Sequence, residues 1–361
     1  MTSLSDLPIR DDLRGLTPYG APQAHVRVEL NVNENTHPVP QQVIAEIMSR
    51  IAQALTTINR YPDREFTELR ASLAQYLGHG LEIENIWAAN GSNEVIQHVL
   101  QAFGGPGRSV LAFPPTYSMH PIIAAATGTQ WLTAERDEGF YISPETAVAA
   151  IRAHTPDVTF FCAPNNPTGT PVSLETITAA YDATKGIVFV DEAYVEFAPT
   201  SHGTALSLLQ GRPRLIVSRT MSKAFAFAGA RVGYLAADPA VVDALRLVRL
   251  PYHLSALTQA AAIGALAHTP AMLAMVDDIK TQRDRLVHEL AVLGFTPYES
   301  SANFVLFGNV ADPHAVFEKL LSQGIIIRDI WMPHHLRVTA GTQAETTEFL
   351  TAIAALDAAQ R

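Results

Sequence analysis

Short apolar runs alternate with helical patterns through the middle of the chain. Runs at 86–89, 109–113, 158–162, 187–190, 215–218 and 232–236 are mostly continuous rather than alternating in polarity. A strand with one wet face alternates with a period of two, whereas a continuous run suits a strand covered on both faces. Between these runs, 94–103 and 174–183 carry helical spacing. The alternation predicts an α/β fold, a parallel sheet with crossover helices. From Pro270 the texture changes. A long helix is expected over 271–293, closed by Gly294, then a strand at 303–307, a helix at 313–323, strands at 325–328 and 336–339, and a last helix. That order reads as a smaller α+β domain. Before the sheet lie two proline-bearing pieces, Leu16-Thr17-Pro18-Tyr19 and Asn33-Glu34-Asn35-Thr36-His37-Pro38-Val39-Pro40. Proline there favours an extended arm. The expected division is an N-terminal arm over 1–45, a large domain over 46–268 and a small domain over 269–361.

Length and composition narrow the class. With 361 residues the chain is too long for one small core, so two domains around one site are expected. Hydrophobic residues at 48% against 17% charged give a globular balance. The formal net charge of -10 is scattered along the chain, which argues against a nucleic-acid or membrane partner, since polyanions would be repelled. A small anion remains possible, because local arginines and backbone amides can make a positive pocket. The lone Cys162 sits beside Phe160 and Phe161 and supports neither a disulfide framework nor a cysteine metal site. Met1 to Asp6 lacks a charged start followed by an apolar core, and the apolar stretch 256–267 is too short to span a bilayer. A cytoplasmic protein is expected.

Four groups at strand ends suit one chemical task. Asn90-Gly91-Ser92-Asn93-Glu94 follows a strand and opens a helix, where small residues let backbone N–H groups approach a phosphate; the same residues also make ordinary caps. Ala163-Pro164-Asn165-Asn166-Pro167-Thr168-Gly169 follows another strand and has the composition of a turn. Asp191 ends the apolar run 187–190, at the edge where open α/β sheets bind ligands. Buried there, its carboxylate needs a partner. Finally, Ser222-Lys223 follows the run 215–218, and the neighbours of Lys223 are Ala and Phe. Desolvation lowers a lysine pKa, which a Schiff-base lysine requires. Ser222 and Arg231 make a reasonable second pair of phosphate ligands.

Taken in order, Asn166-Pro167-Thr168-Gly169, Asp191-Glu192-Ala193-Tyr194, and Ser222-Lys223 with Arg231 eight residues on resemble the fold-type I pyridoxal-phosphate aminotransferases. The spacings agree, 25 residues from Asn166 to Asp191 and 32 from there to Lys223. Within that superfamily the chain resembles the histidinol-phosphate aminotransferase family over almost its whole length. The closer marks are Pro18-Tyr19, Asn33-Glu34-Asn35, Asn59-Arg60-Tyr61-Pro62-Asp63, Pro114 to Met119, Ala302-Asn303-Phe304, and Leu336 to Thr342. Thr36-His37 departs from the pattern, in which Asn-Glu-Asn runs directly into proline.

The resemblance implies a large domain with a mainly parallel seven-stranded sheet flanked by helices, plus a smaller α+β domain. It implies pyridoxal 5'-phosphate as cofactor, with Lys223 as its carrier and catalytic base. Asp191 would hold the proton on the ring nitrogen. Asn166 and Tyr194 would bond the ring hydroxylate, and Tyr117 would stack on the ring. Ser92, Asn93, Ser222 and Arg231 would hold the phosphate, joined by Tyr61 from the second subunit of a homodimer with shared sites. Arg337, Arg328 and Tyr19 would bind substrate anions, the α-carboxylate of glutamate or 2-oxoglutarate in one half-reaction and the phosphate ester of histidinol phosphate in the other.

Other readings are weaker. A nicotinamide dehydrogenase would need a G-x-G-x-x-G after a strand, whereas Gly104-Gly105-Pro106-Gly107 follows a helix. His334-His335, if on a strand, would point to opposite faces, a poor metal pair. A non-catalytic regulator would need an added DNA-binding segment. Within the superfamily the alternatives are an aromatic amino-acid (phenylalanine) aminotransferase and, behind it, a threonine-phosphate decarboxylase.

Overall fold

The computed structural model describes residues 3, 6–15, 20 and 24–356. The extended N-terminal segment contributes β1 (Val28–Glu29) and gives way to a helix, Gln41–Leu55, directly after Pro40. The chain then builds β2 (Ile86–Ala89), β3 (Ser109–Ala112), β4 (Gln130–Thr133), β5 (Val158–Cys162), β6 (Ile187–Asp191), β7 (Leu215–Thr220) and β8 (Gly233–Ala237). These form one sheet in the order β2-β8-β7-β6-β5-β3-β4. Every neighbouring pair is parallel except those of β8, which runs antiparallel to both β2 and β7. The α/β sheet expected from the pattern is present, with β8 as its antiparallel exception, so it matches the mainly parallel seven-stranded sheet that the resemblance implies; β2, β5, β6, β7 and β8 are buried throughout.

Strand β4 was not among the six runs read from the sequence. It is the edge strand, with partly exposed Trp131 and Leu132 between exposed Gln130 and Thr133, so it lacks the continuous apolar run of a strand covered on both faces. Beyond the sheet, the helix expected over 271–293 is interrupted. Thr269–Leu273 and Val276–Val292 are separate helices, and the first starts ahead of the expected position with Pro270 in its opening turn.

The C-terminal part adds β9 (Thr296–Pro297), β10 (Phe304–Gly308), β11 (Ile325–Ile326), β12 (Arg328–Asp329) and β13 (Leu336–Thr339). The strand expected over 325–328 is divided. Its first half, β11, pairs in parallel with β1 of the N-terminal segment, while β12 joins an antiparallel sheet of order β12-β13-β10-β9. A continuous apolar run cannot reveal this division, because both halves are extended and only their partners differ.

The strand directions decide where chemistry can gather. Cys162, Asp191 and Ser218 stand in register across β5, β6 and β7. Because β8 is antiparallel, its first residue, Gly233, lies opposite both Ala89 and Thr220, the last residues of β2 and β7. The loops carrying Ser92, Asn166, Asp191, Ser222 and Arg231 therefore open at one edge of the sheet.

Candidate active site

That edge borders a cavity of about 840 Å³. Among the described residues, all those expected to bind cofactor or substrate line it except Tyr61. Tyr19 lies outside the described residues, although Gly20 beside it lines the cavity. Tyr61 is 78% exposed and stacks on Tyr252 of the same chain, with ring centroids 4.4 Å apart.

One end of the cavity is built for an anion. Helix Ser92–Phe103 begins at Gly91, whose φ is +82°. A Cβ at Gly91 would stand 2.3 Å from Arg231 Nη2, and one at Gly233 would stand 2.3 Å from the Gly91 carbonyl carbon. The two glycines thus let the helix terminus, the Arg231 guanidinium and the start of β8 meet. Glu94 braces the turn by accepting from the backbone and side-chain nitrogens of Asn90. Thr220, not singled out from the sequence, donates its hydroxyl to Ser222 Oγ at 3.0 Å and so aims the serine. Backbone amides at a helix start, a serine and a guanidinium are the donor set a phosphate needs.

Deeper in lies Asp191, 2% exposed. Ser218 Oγ donates to its Oδ1 at 3.2 Å, and His120 Nε2 stands 3.6 Å from its Oδ2. His120 is fully buried, packed edge-on against Tyr117 and Phe160. Nothing in its local sequence distinguishes it from an ordinary core residue. Tyr117 itself is oriented by a hydroxyl bond to Asn93 Oδ1, 3.1 Å.

Lys223 donates to the Val32 carbonyl at 3.0 Å, and its ammonium lies 5.9 Å from the centre of the Tyr194 ring. Burial lowers its pKa to about 8, helped by Arg337 and Arg231 and opposed by Glu34. Burial also pushes the Tyr194 phenol well above its usual range, with Arg337 and the Asn33 hydrogen bond pulling the other way. Tyr194 Oη accepts from Asn166 at 3.2 Å and from Asn33 at 3.0 Å. Asn33 was read only as part of a family mark. The structure adds it to the site, held in a left-handed conformation (φ +57°) and bonded to Thr339 and Asn303.

The far wall comes from the β12–β13 hairpin. Arg328 and Arg337 are directly paired across it, so both side chains project from the same face. Arg337 donates to Asn166 Oδ1 at 2.5 Å and to the Asn31 carbonyl at 2.9 Å. Two guanidinium groups so placed repel unless an anion lies between them. His334 and His335 precede β13 in a turn rather than standing on a strand; His334 faces the Val310 carbonyl and His335 the Tyr298 hydroxyl.

Comparison with known proteins decides the family. The model of aminotransferase class I and II matches residues 26–353. The chain is 58% identical over 356 residues to the histidinol-phosphate aminotransferase of Paenarthrobacter aurescens, covering 98% of this chain and 96% of that one. It is 54% identical to that of Thermobifida fusca, with 97% and 96% covered. The chain belongs to the histidinol-phosphate aminotransferase family. Among solved structures, the aminotransferase of that name from Sinorhizobium meliloti, in complex with pyridoxal-5'-phosphate, superposes with a TM-score of 0.82 at 26% identity, covering 91% and 90% of the two chains. The site of this aminotransferase fits such a group. It offers an anion cradle with no room for a Cβ, a buried carboxylate beyond it, an aromatic wall in Tyr117, and a buried lysine amine.

Proposed function

We propose that the chain moves an amino group between L-histidinol phosphate and 2-oxoglutarate, yielding imidazole acetol phosphate and L-glutamate, a step of histidine biosynthesis. The observation that carries the reading is a buried, pKa-lowered lysine between an anion cradle and a cross-strand arginine pair. Lys223 would carry pyridoxal 5'-phosphate, which when bound would supply an electron sink for chemistry at the substrate Cα. Ser92, Asn93, Ser222 and Arg231 would hold its phosphate, and Asp191 would keep its ring nitrogen protonated. Asn166 and Tyr194 would bond the ring hydroxylate, and Tyr117 would supply the aromatic wall against the ring. Lys223 Nζ would be the base that takes the proton from the substrate Cα and carries it toward the cofactor. With a pKa near 8 it has a usable neutral fraction near neutrality.

Arg337 and Arg328 receive the α-carboxylate of glutamate or the phosphate ester of histidinol phosphate, with Tyr19 as a third ligand for the ester. Two anions of different chemistry serve as alternates because the pair presents fixed N–H forks rather than a shaped pocket. We assign the working form as a homodimer. Met48, Leu55, Ile58, Tyr61, Leu247 and Leu250 are all more than half exposed or close to it, an apolar display that a second copy would cover. In that dimer Tyr61 reaches the neighbour's cofactor phosphate. We place the enzyme in the cytoplasm, the compartment of the biosynthetic step proposed for it. Among the described residues no single helix is long and apolar enough to cross a membrane. Steady-state kinetics with 2-oxoglutarate as acceptor tests the reading. Histidinol phosphate is expected to exceed phenylalanine in kcat/KM by orders of magnitude. Parity, or a preference for phenylalanine, would replace it with the aromatic aminotransferase reading.

A further inference from the structure

The turn between β12 and β13 carries the most conspicuous unassigned side chain of the cavity. Trp331 lines the cavity together with Ile330, Met332 and Pro333, yet it is 81% exposed. Its φ is +58°, a conformation that costs a bulky residue energy and is normally left to glycine or asparagine. A mostly exposed indole in a strained conformation adds little to the packed core.

The indole is also held rather than loose. The Trp331 backbone N–H donates to Asp329 Oδ1 at 2.8 Å, which fixes the turn that carries the indole. The other carboxylate oxygen of Asp329 stands 3.4 Å from His314 Nδ1. The His314 ring stacks on the indole at 5.7 Å with 25° between planes, and also neighbours Phe317 at 6.3 Å. A helix, Pro313–Ser322, thus backs the indole while leaving most of it accessible. The same short turn joins the strands that carry Arg328 and Arg337.

We infer that Trp331 is a specificity-determining residue that packs against the planar ring of the amino donor, on the reading that the donor is histidinol phosphate. The reaction demands a contact of this kind. Both substrates present an anion to the same arginine pair; beyond it glutamate carries a second carboxylate, whereas histidinol phosphate brings a planar ring with a π-face and a larger apolar area. An indole held at the cavity wall discriminates by stacking, which a glutamate chain cannot reciprocate.

Trp331→Gly tests this with little risk to the fold, because glycine adopts the left-handed conformation without strain. KM for histidinol phosphate is expected to rise roughly tenfold, as loss of one aromatic contact implies. The KM for glutamate should stay within about twofold, and kcat for both within about twofold. Trp331→Phe should restore most of the loss. The inhibition constant of inorganic phosphate, a probe of the arginine pair alone, should not move. An unchanged histidinol phosphate KM, an equal rise for glutamate, or a parallel weakening of inorganic phosphate would each overturn the role of Trp331 while leaving the proposed reaction standing. An unsubstituted enzyme inactive on histidinol phosphate would overturn both.

Discussion

Lys223 owes its chemistry to burial. In the fold its pKa is about 8, against 10.5 for an unperturbed lysine, so the folded cofactor-free protein releases this proton more readily than the unfolded chain. The sign follows. Below about pH 8 the charged amine costs stability, and the cost is relieved as pH climbs from about 8 toward 10.5. Lys223→Met should therefore melt higher than the unsubstituted cofactor-free protein at pH 7, with the gain shrinking by pH 10. The same variant should lose transamination, and borohydride reduction of the loaded native enzyme should leave its adduct on the Lys223 peptide. Asp191→Asn keeps the shape of the side chain but removes the charge that Ser218 orients. A drop in kcat of about 10²–10³-fold is expected, with a melting midpoint close to that of the native protein. Arg337→Ala should weaken glutamate and histidinol phosphate together, by about 2–5 kcal/mol each in kcat/KM. If only one substrate suffers, the shared anion site is wrong and Arg328 must anchor the other.

Among elements, the junction of helix Ser92–Phe103 with β8 is the tightest part of the site. The helix start can sit against the sheet only because Gly233 has no side chain; a Cβ there would stand 2.4 Å from the Ser92 nitrogen and 2.3 Å from the Gly91 carbonyl carbon. Both neighbours are backbone, so neither can swing aside. Gly233→Ala should push the helix terminus away from Arg231 and loosen the cofactor by tenfold or more, read as its dissociation constant by absorbance titration. Retained native affinity would mean that the junction is softer than its distances imply. The β12–β13 hairpin is the second decisive element, since its register alone puts Arg328 opposite Arg337. Shifting one strand by a single residue would send one guanidinium to the other face.

For the whole molecule, the issue is whether a site is complete within one chain. Tyr61 is absent from the cavity lining of its own subunit and lies exposed on Tyr252. Co-expression of Tyr61→Ala with Lys223→Ala separates the alternatives. If Tyr61 serves its neighbour, a mixed dimer holds one site with both defects and one with neither, and activity returns. No recovery in a verified mixed dimer, or a fully active monomer, would retire the shared site.

The sequence by itself determined where the sheet's buried strands lie along the chain and which residues stand at their ends. Both are local properties: β5, β6 and β7 announce themselves as short apolar runs, and Asn166, Asp191 and Lys223 follow them at spacings that distance in space does not alter. An edge strand such as β4, half in water, sends no such signal. Tertiary structure alone decided what depends on partners far along the chain. It brought Asn33 to the Tyr194 hydroxyl, placed His120 beside Asp191, and divided 325–328 between two sheets. It also set Trp331 at the rim of the cavity. In each case the residue type is ordinary and its neighbours in sequence are uninformative, because burial and pairing are set by segments that meet only after the chain has folded.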